Sequence, residues 1–213
     1  MLRNDEVFWK PNAETDAVSL SWGGSQGDFS QLWKHSQDQW EWIVRNLNQI
    51  GLTGPNGRIV EFGSGMGLID DLLQDRNSSI LMLDHTDEYI KKRSQPLSSR
   101  CRHVLWTSQN LEDLHSEYGS YDWLISIAVF FHLDEITSVA LILELGKLLK
   151  PGGYVLIQGW NSSTPEAVRQ RANRQRLFSH YADYLLNANL LKDALAPDYP
   201  EISRQHMLLY QKT

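Results

Sequence analysis

The stretch Ile59-Val60-Glu61-Phe62-Gly63-Ser64-Gly65-Met66-Gly67-Leu68-Ile69-Asp70 decides the fold. It opens with a short apolar run, which predicts a buried strand, and passes through three glycines that alternate with other residues. Apolar residues then recur at helical spacing, at Leu68, Ile69, Leu72 and Leu73. A strand, a glycine turn and a helix in this order predict the nucleoside site of a doubly wound α/β domain. Glycine permits positive φ angles in such a turn and lets a ligand approach bare backbone.

The spacing of the glycines separates two classes of cofactor site. A dinucleotide fingerprint requires Gly-x-Gly-x-x-Gly, and its last glycine would fall at position 68, which is Leu. The observed pattern is Gly63-x-Gly65-x-Gly67, with Glu61 two residues before the first glycine. Taken alone, the turn is also consistent with a tight strand–helix connection that binds nothing. The remainder of the chain has to decide between these interpretations.

Length and composition are ordinary for a globular protein. The 213 residues suffice for one domain with a substantial core; 41% are hydrophobic and 22% are charged. The net charge of −6 disfavours a nucleic-acid partner, because an acidic surface repels phosphates. The single cysteine, Cys101, is expected to be an inert thiol in a reducing compartment. There is neither an apolar signal core nor an apolar run of about 18 residues, so we expect a cytoplasmic protein without membrane association.

Tryptophan is the unusual feature of the N-terminal part. Of eight tryptophans in the chain, five lie at or before Trp42. Asp28 predicts a helix N-cap, and apolar residues recur on one helical face as far as Gly51. We therefore predict an N-terminal helical extension or lid, residues 1–54, that forms one compact unit with the main domain, residues 55–213. The tryptophans serve packing in one interpretation and cover a flat substrate in the other, and a tryptophan-rich helix is also a possible homodimer surface.

Strands and helices alternate through the main domain. After the first strand, further strands are predicted at 79–84, 102–106, 121–133 and 154–158, with helices at 86–94, 134–150 and, with breaks, 164–190. Such alternation predicts right-handed crossovers and a mostly parallel sheet. The tail has two extended segments without a helix between them, 194–199 and 207–211, which predict an antiparallel hairpin. The expected fold is α/β: a doubly wound, mostly parallel seven-stranded sheet with helices on both faces.

Four features together resemble the class I S-adenosylmethionine-dependent methyltransferases. They are the glycine stretch after Glu61, the acid Asp84 about twenty residues past Gly63, the close of strand four in Phe131-His132-Leu133, and the turn Leu149-Lys150-Pro151-Gly152-Gly153 into strand five. The resemblance covers residues 55–160 strongly and 190–211 weakly, and it does not extend to residues 1–50. A nicotinamide oxidoreductase, the alternative for a glycine turn with an acid at this distance, would show neither the last turn nor the closing hairpin.

The resemblance implies roles for particular residues at the cofactor, S-adenosylmethionine, whose product is S-adenosylhomocysteine. Glu61 would order the loop beside the amino-acid end of the cofactor, and Asp84 would hold the ribose hydroxyls. Asn110 stands where the family usually has Asp, and its amide would contact adenine. The implied cofactor-binding set is Glu61, Gly63, Ser64, Gly65, Gly67, Asp84, His85, Asn110, Leu111, Ile127 and Ala128.

The acceptor side is predicted more loosely. His132 is the first candidate for a general base, because it follows strand four at the edge of the sheet where the site has to lie. The alternative is that His132 only caps the next helix. Candidates for the wall of the acceptor pocket are Trp22, Trp33, His35 and Trp160. No Cys/His cluster has metal-ligand spacing, so no metal is expected.

Together these features favour an enzyme that methylates an oxygen or nitrogen atom of a small-molecule metabolite. Two alternatives stay open. The acceptor can be a protein side chain or terminus, or the chain can be a non-catalytic domain of the same fold that binds the cofactor or serves as a partner.

Overall fold

A computed structural model describes residues 29–73, 77–91, 93, 95–130, 133, 135–161, 188–195 and 204–213. The helices in these residues are α1 (Phe29–Asn48), α2 (Leu68–Leu72), α3 (Glu88–Lys91), α4 (Ser108–Asp113), a 3₁₀ turn (Leu114–Glu117) and α5 (Glu135–Leu148). The strands are β1 (Arg58–Phe62), β2 (Ser79–Asp84), β3 (Cys101–Leu105), β4 (Tyr121–Ile127), β5 (Leu149–Asn161), β6 (Ala188–Leu195) and β7 (Arg204–Lys212).

The seven strands form one sheet in the order β3-β2-β1-β4-β5-β7-β6. The strands β3, β2, β1, β4 and β5 run parallel to one another, whereas β7 runs antiparallel to both β5 and β6. Val60 on β1 pairs with Leu81 on one side and Leu124 on the other. The chain moves outward from β1 to β3 and then returns to place β4 beside β1, which creates a switch point between these two strands. The predicted α/β fold with its closing antiparallel hairpin is confirmed.

Both faces of the sheet are buried, which explains why its central strands are nearly continuous apolar runs. Val60 on β1 packs on one face with Leu145 of α5. On the opposite face, Ile59 packs with Ile43 and Leu47 of α1, and both α1 side chains are fully buried. Burial of each such side chain contributes about 1.5–3 kcal/mol, so α1 is held firmly against the sheet. Among the described helices, none combines the length and apolar character needed to cross a membrane.

Several predicted boundaries were wrong. The first strand of the hairpin was expected at 194–199 but lies at Ala188–Leu195. Strand four was expected to continue through Leu133, but it ends at Ile127 because Ala128 has a φ of 61°, in the left-handed region that a strand cannot accommodate. Helix was expected as far as Leu190, whereas β6 already begins at Ala188. Strand β5 begins directly after α5 at Leu149, with a register shift against β4 before it reaches the predicted segment.

Candidate active site

The predicted cofactor residues meet at one edge of the sheet. The glycine loop, residues 63–67, leaves the carboxyl end of β1, Asp84 is the last residue of β2, and Ile127 is the last residue of β4. Because these strands are parallel neighbours, their carboxyl ends lie at the same edge, beside the switch point between β1 and β4. The glycine loop, Asp84 and Ile127 therefore lie at this one edge.

The glycine loop has three residues with positive φ. The φ angles are 72° at Gly63, 52° at Gly65 and 72° at Gly67. A Cβ on Gly63 would lie 2.1 Å from Cγ2 of Val129, and one on Gly67 would lie 2.5 Å from a methyl carbon of Met82. A Cβ on Gly65 would meet nothing within 4 Å. A Cβ at either outer glycine would have to displace neighbouring side chains, while Gly65 borders open space where a ligand can approach the backbone.

Asp84 is tied directly to the glycine loop. Its side chain is buried, and Oδ2 accepts a hydrogen bond from the backbone N–H of Gly65 at 2.8 Å. The other oxygen, Oδ1, accepts from the backbone N–H of Thr86 at 3.3 Å and lies 2.9 Å from Nδ1 of His85. A carboxylate offers about four lone-pair sites, so these contacts leave acceptor capacity for a ligand hydroxyl. Nε2 of His85 is buried and has no hydrogen-bond partner among the described residues.

Glu61 is a buried carboxyl group with an unsatisfied oxygen. Its side chain is 6% exposed, and neither Oε2 nor the nearby Oγ of Ser64 has a hydrogen-bond partner within the described parts of the chain. Burial raises the pKa of Glu61 well above its ordinary value; the charges of Asp84 and Asp70 raise it further, and Arg93 opposes them. Buried polar groups without partners are costly and rare, so these atoms fit a site completed by a polar ligand.

Asn110 lies on α4, which follows β3. Its Nδ2 donates to the carbonyl of Leu105 at 2.8 Å, and its backbone N–H donates to Oγ1 of Thr107 at 3.3 Å. These bonds fix the amide against the carboxyl end of β3. The side chain of Leu111, the next predicted cofactor residue, lies outside the described residues.

The end of β4 is built from contacts that the sequence analysis missed. Oγ of Ser126 donates to the carbonyl of Phe62 at 3.1 Å, and the N–H of Ala128 donates to the carbonyl of Gln158 at 2.8 Å. The ring of Phe62 lies 5.3 Å from Trp106 and 5.8 Å from Phe130 between centroids. The signal for Trp106 and Phe130 was present, because both follow the carboxyl ends of strands at the edge of the site.

Most side chains of the predicted acceptor wall lie outside the described residues. Trp33 lies on α1 and is partly exposed. The backbones of His35 and Trp160 lie on α1 and β5, but their side chains are outside the described residues. Trp22 and His132 fall entirely outside them. Their roles at an acceptor stay predictions.

Comparison with known proteins adds a family-level match. A family model described as "Methyltransferase domain" matches residues 32–207. The chain is also 25% identical over 154 residues to the ubiquinone biosynthesis O-methyltransferase of Erwinia tasmaniensis. That match covers 71% of this chain and 60% of the relative, so this chain aligns with less than two thirds of the relative's length.

Solved structures resemble the whole chain in fold. A S-adenosylmethionine-dependent methyltransferase from Leishmania major has a TM-score of 0.68 and 18% identity over 96% of this chain and 80% of that one. Magnesium protoporphyrin IX methyltransferase from Synechocystis, solved with bound S-adenosylhomocysteine, has a TM-score of 0.64 and 13% identity, covering 99% and 100%. The N-methyltransferase NodS from Bradyrhizobium japonicum, also with S-adenosylhomocysteine, has a TM-score of 0.62 and 13% identity, covering 98% and 96%. At these identities the likeness concerns the fold.

Proposed function

Because this chain belongs to the methyltransferase domain family, we propose that it transfers a methyl group from S-adenosylmethionine to an oxygen or nitrogen atom of a small-molecule metabolite. The observation that carries the proposal is the hydrogen bond from Gly65 N–H to Asp84 Oδ2. It joins the buried carboxylate at the end of β2 to the one loop glycine that borders open space. A carboxylate beside an open stretch of bare backbone is the arrangement that a nucleoside ligand requires.

The described residues suit each part of this cofactor. Asp84 has acceptor capacity for the ribose hydroxyls, and His85 beside it has an unpartnered ring nitrogen. Glu61 offers a buried carboxyl oxygen to the ammonium group of the amino-acid end, where Ser64 offers a hydroxyl. Asn110 and Leu111 would border adenine, and Ile127 and Ala128 would border the sulfur. The cofactor would therefore lie across the carboxyl ends of β1, β2 and β4.

The bound cofactor supplies an electrophilic methyl group on a sulfonium. The protein has to orient the acceptor and exclude water, and orientation contributes about 7–11 kcal/mol in favourable cases. The end of β4 supplies a wall for this purpose, because Ser126 ties it to Phe62 of β1 and Ala128 ties it to Gln158 of β5. If His132 serves as a general base, it would accelerate transfer by about 10²–10⁴-fold.

The choice of an oxygen or nitrogen acceptor rests on the relatives. The sequence relative is an O-methyltransferase of ubiquinone biosynthesis, and NodS, with a similar fold, is an N-methyltransferase. Both names fit the sequence Phe130-Phe131-His132-Leu133. It stands where amino methyltransferases that act on nucleobases or glutamine have an Asn-Pro-Pro-Tyr-type element. These observations support a small-molecule acceptor.

Calorimetric titration tests the cofactor first. The unaltered protein should bind S-adenosylmethionine and S-adenosylhomocysteine but not NADH, and Asp84→Asn should weaken binding at least tenfold. Asp87→Asn is the matched control, because Asp87 lies on the same segment but pairs with Lys91 at the surface. Binding of NADH alone, or of none of the three, would overturn the proposal.

Activity on an acceptor is the second test. Release of S-adenosylhomocysteine should be measured with pools of small hydroxyl- and amine-bearing compounds and, separately, with protein substrates. Release that depends on the small compounds and is lost in Asp84→Asn supports the proposed function. If S-adenosylhomocysteine is released only with protein substrates, the acceptor is a protein and not a small molecule.

A further inference from the structure

Arg93 is a buried arginine that contacts the end of the glycine loop. It lies two residues beyond α3, and its backbone N–H donates to the carbonyl of Ile90. Its side chain is only 6% exposed. Arginines are almost never buried to this extent unless every donor is satisfied, so the contacts of this guanidinium define its role.

The guanidinium makes five hydrogen bonds, which equals its number of N–H groups. Nη1 donates to the carbonyls of Met66 at 2.7 Å and Gly67 at 3.0 Å. Nη2 donates to both carboxylate oxygens of Asp71, at 3.2 and 3.0 Å, and Nε donates to the carbonyl of Gln95 at 3.0 Å. One side chain thus joins the glycine loop to the first turns of α2 and to its own segment.

The two loop carbonyls matter because peptide groups are planar. Fixing the carbonyl of Met66 also fixes the N–H of Gly67, and fixing the carbonyl of Gly67 fixes the N–H of Leu68. Gly67 N–H donates to the carbonyl of Ser64 at 2.7 Å, which closes the turn over Gly65. Arg93 therefore holds the part of the loop that follows the open glycine, while Asp84 holds Gly65 itself.

Lysine cannot reproduce this arrangement. An ammonium is a point charge with three donors, whereas the planar fork of arginine spans two carbonyls and a carboxylate at once. The positive charge of Arg93 also acts on Glu61, whose pKa it lowers against the larger effects of burial and of Asp84 and Asp70. The same side chain therefore influences both the shape and the charge of the loop.

We propose that Arg93 is a positioning residue that sets the affinity of the glycine loop for the cofactor. The inference rests on the proposed function, because it assigns the loop to S-adenosylmethionine. Arg93 lies outside the motifs that carry the family resemblance, and it touches the loop only through backbone carbonyls, so the sequence pattern does not mark it.

Arg93→Lys tests the proposal, with Arg100→Lys as the matched control. Arg100 is also a buried arginine, 10% exposed, and it donates to Oδ1 and to the carbonyl of Asp70 on α2. Two quantities should be measured: the dissociation constant for S-adenosylhomocysteine, and the rate of backbone amide exchange at residues 63–68 in the free protein. Both measurements should be made at a temperature well below the unfolding midpoint of each variant.

We expect both variants to lose thermal stability. Only Arg93→Lys should weaken binding by tenfold or more and accelerate exchange at Gly67 and Leu68. Asp71→Asn, which keeps the bonds to the loop carbonyls, should bind within about threefold of the unaltered protein. Equal effects of Arg93→Lys and Arg100→Lys on binding and exchange would overturn the positioning role. If the unaltered protein fails to bind, the proposed function falls and the affinity role falls with it, whereas loss of affinity without faster exchange overturns only the role of Arg93.

Discussion

The side chain of Val129 lies directly over Gly63, in the space that a Cβ on this glycine would require. The two residues follow β1 and β4, the strands on either side of the switch point. Ala128, with its left-handed φ, turns the chain out of β4 immediately before Val129. The glycine loop and the start of the segment that carries His132 are therefore packed against each other, so a substitution in either is expected to shift the other.

Gly63→Ala should destabilise the protein by about 2–5 kcal/mol. The positive φ alone costs about 1–3 kcal/mol, and the contact with Val129 adds an overpacking cost of similar size. Urea unfolding measures the change. Val129→Ala in the Gly63→Ala background should recover part of the loss, and a double mutant that is simply additive would show that the two residues do not interact.

Gly65→Ala should separate binding from stability. The φ of 52° makes the substitution cost about 1–2 kcal/mol, but a Cβ here meets no protein atom within 4 Å. The added methyl group instead points into the space assigned to the ligand, so affinity for S-adenosylhomocysteine should fall more than tenfold. Calorimetry and urea unfolding on the same preparation provide the comparison. Unchanged affinity would place the cofactor away from Gly65.

The sequence predicted the parts of this molecule that repeat a pattern. The buried strand β2 lies at Ser79–Asp84 as expected, and family membership confirms the prediction made from the glycine spacing and the turn at Pro151. The end of β4 was not predictable in this way, because an apolar run does not reveal the single backbone rotation at Ala128.

The contacts of Arg93 were equally hidden from the sequence. In the loop it bonds to backbone carbonyl groups, which every residue possesses. No particular side chain in the loop therefore marks it as a partner of an arginine. The packing of Val129 over Gly63 was missed for a related reason, because it depends on the absence of a Cβ atom at Gly63. The assigned cofactor roles of Glu61, Asp84 and Asn110, and the division of the chain near residue 54, stay predictions.

Asp70 should contribute stability that is lost in acid. Burial alone would raise its pKa, but hydrogen bonds from Ser98 and Arg100 outweigh burial and lower the pKa to about 2. A lowered pKa means stability that is present above about pH 4 and lost as the pH falls toward 2. Asp70→Asn should cost up to about 2 kcal/mol at pH 7. In urea unfolding, this difference should narrow between pH 4 and pH 3; a constant difference would contradict the assignment.

Cys101 should be unreactive in the folded protein. Burial raises the pKa of its thiol to about 12, and nearby Asp70 adds to the effect. Since the thiolate is the nucleophile, very little of the reactive form exists at pH 8. Reaction with a disulfide reagent should be slow in buffer and rapid in denaturing urea. Ser98→Ala removes the neighbouring hydroxyl, 3.7 Å from the sulfur, and the thiol of this variant should still react slowly with the reagent. Rapid labelling of the native protein would contradict the prediction.

Glu61 should make the free protein less stable as the pH rises. Because burial and the charges of Asp84 and Asp70 raise its pKa, the folded state holds a proton that the unfolded state releases above about pH 4.3. Stability from this group is therefore complete below that pH and declines as the pH rises toward the folded-state pKa. Glu61→Gln, which carries no charge, should be more stable than the unaltered protein at pH 8, and the difference should shrink toward pH 5.

The ligand should reverse this relationship. A positively charged group placed beside Glu61 favours the ionised carboxylate, so binding of S-adenosylhomocysteine should release a proton from the unaltered protein. Calorimetry in two buffers of different ionisation enthalpy, repeated between pH 5 and pH 8, measures that release, which should be absent in Glu61→Gln. If the Gln variant is instead less stable than the unaltered protein at every pH, Glu61 is ionised in the free protein and already satisfied there. Its unpartnered oxygen would then have to be completed by solvent, and the argument that it anticipates a cationic ligand would fail.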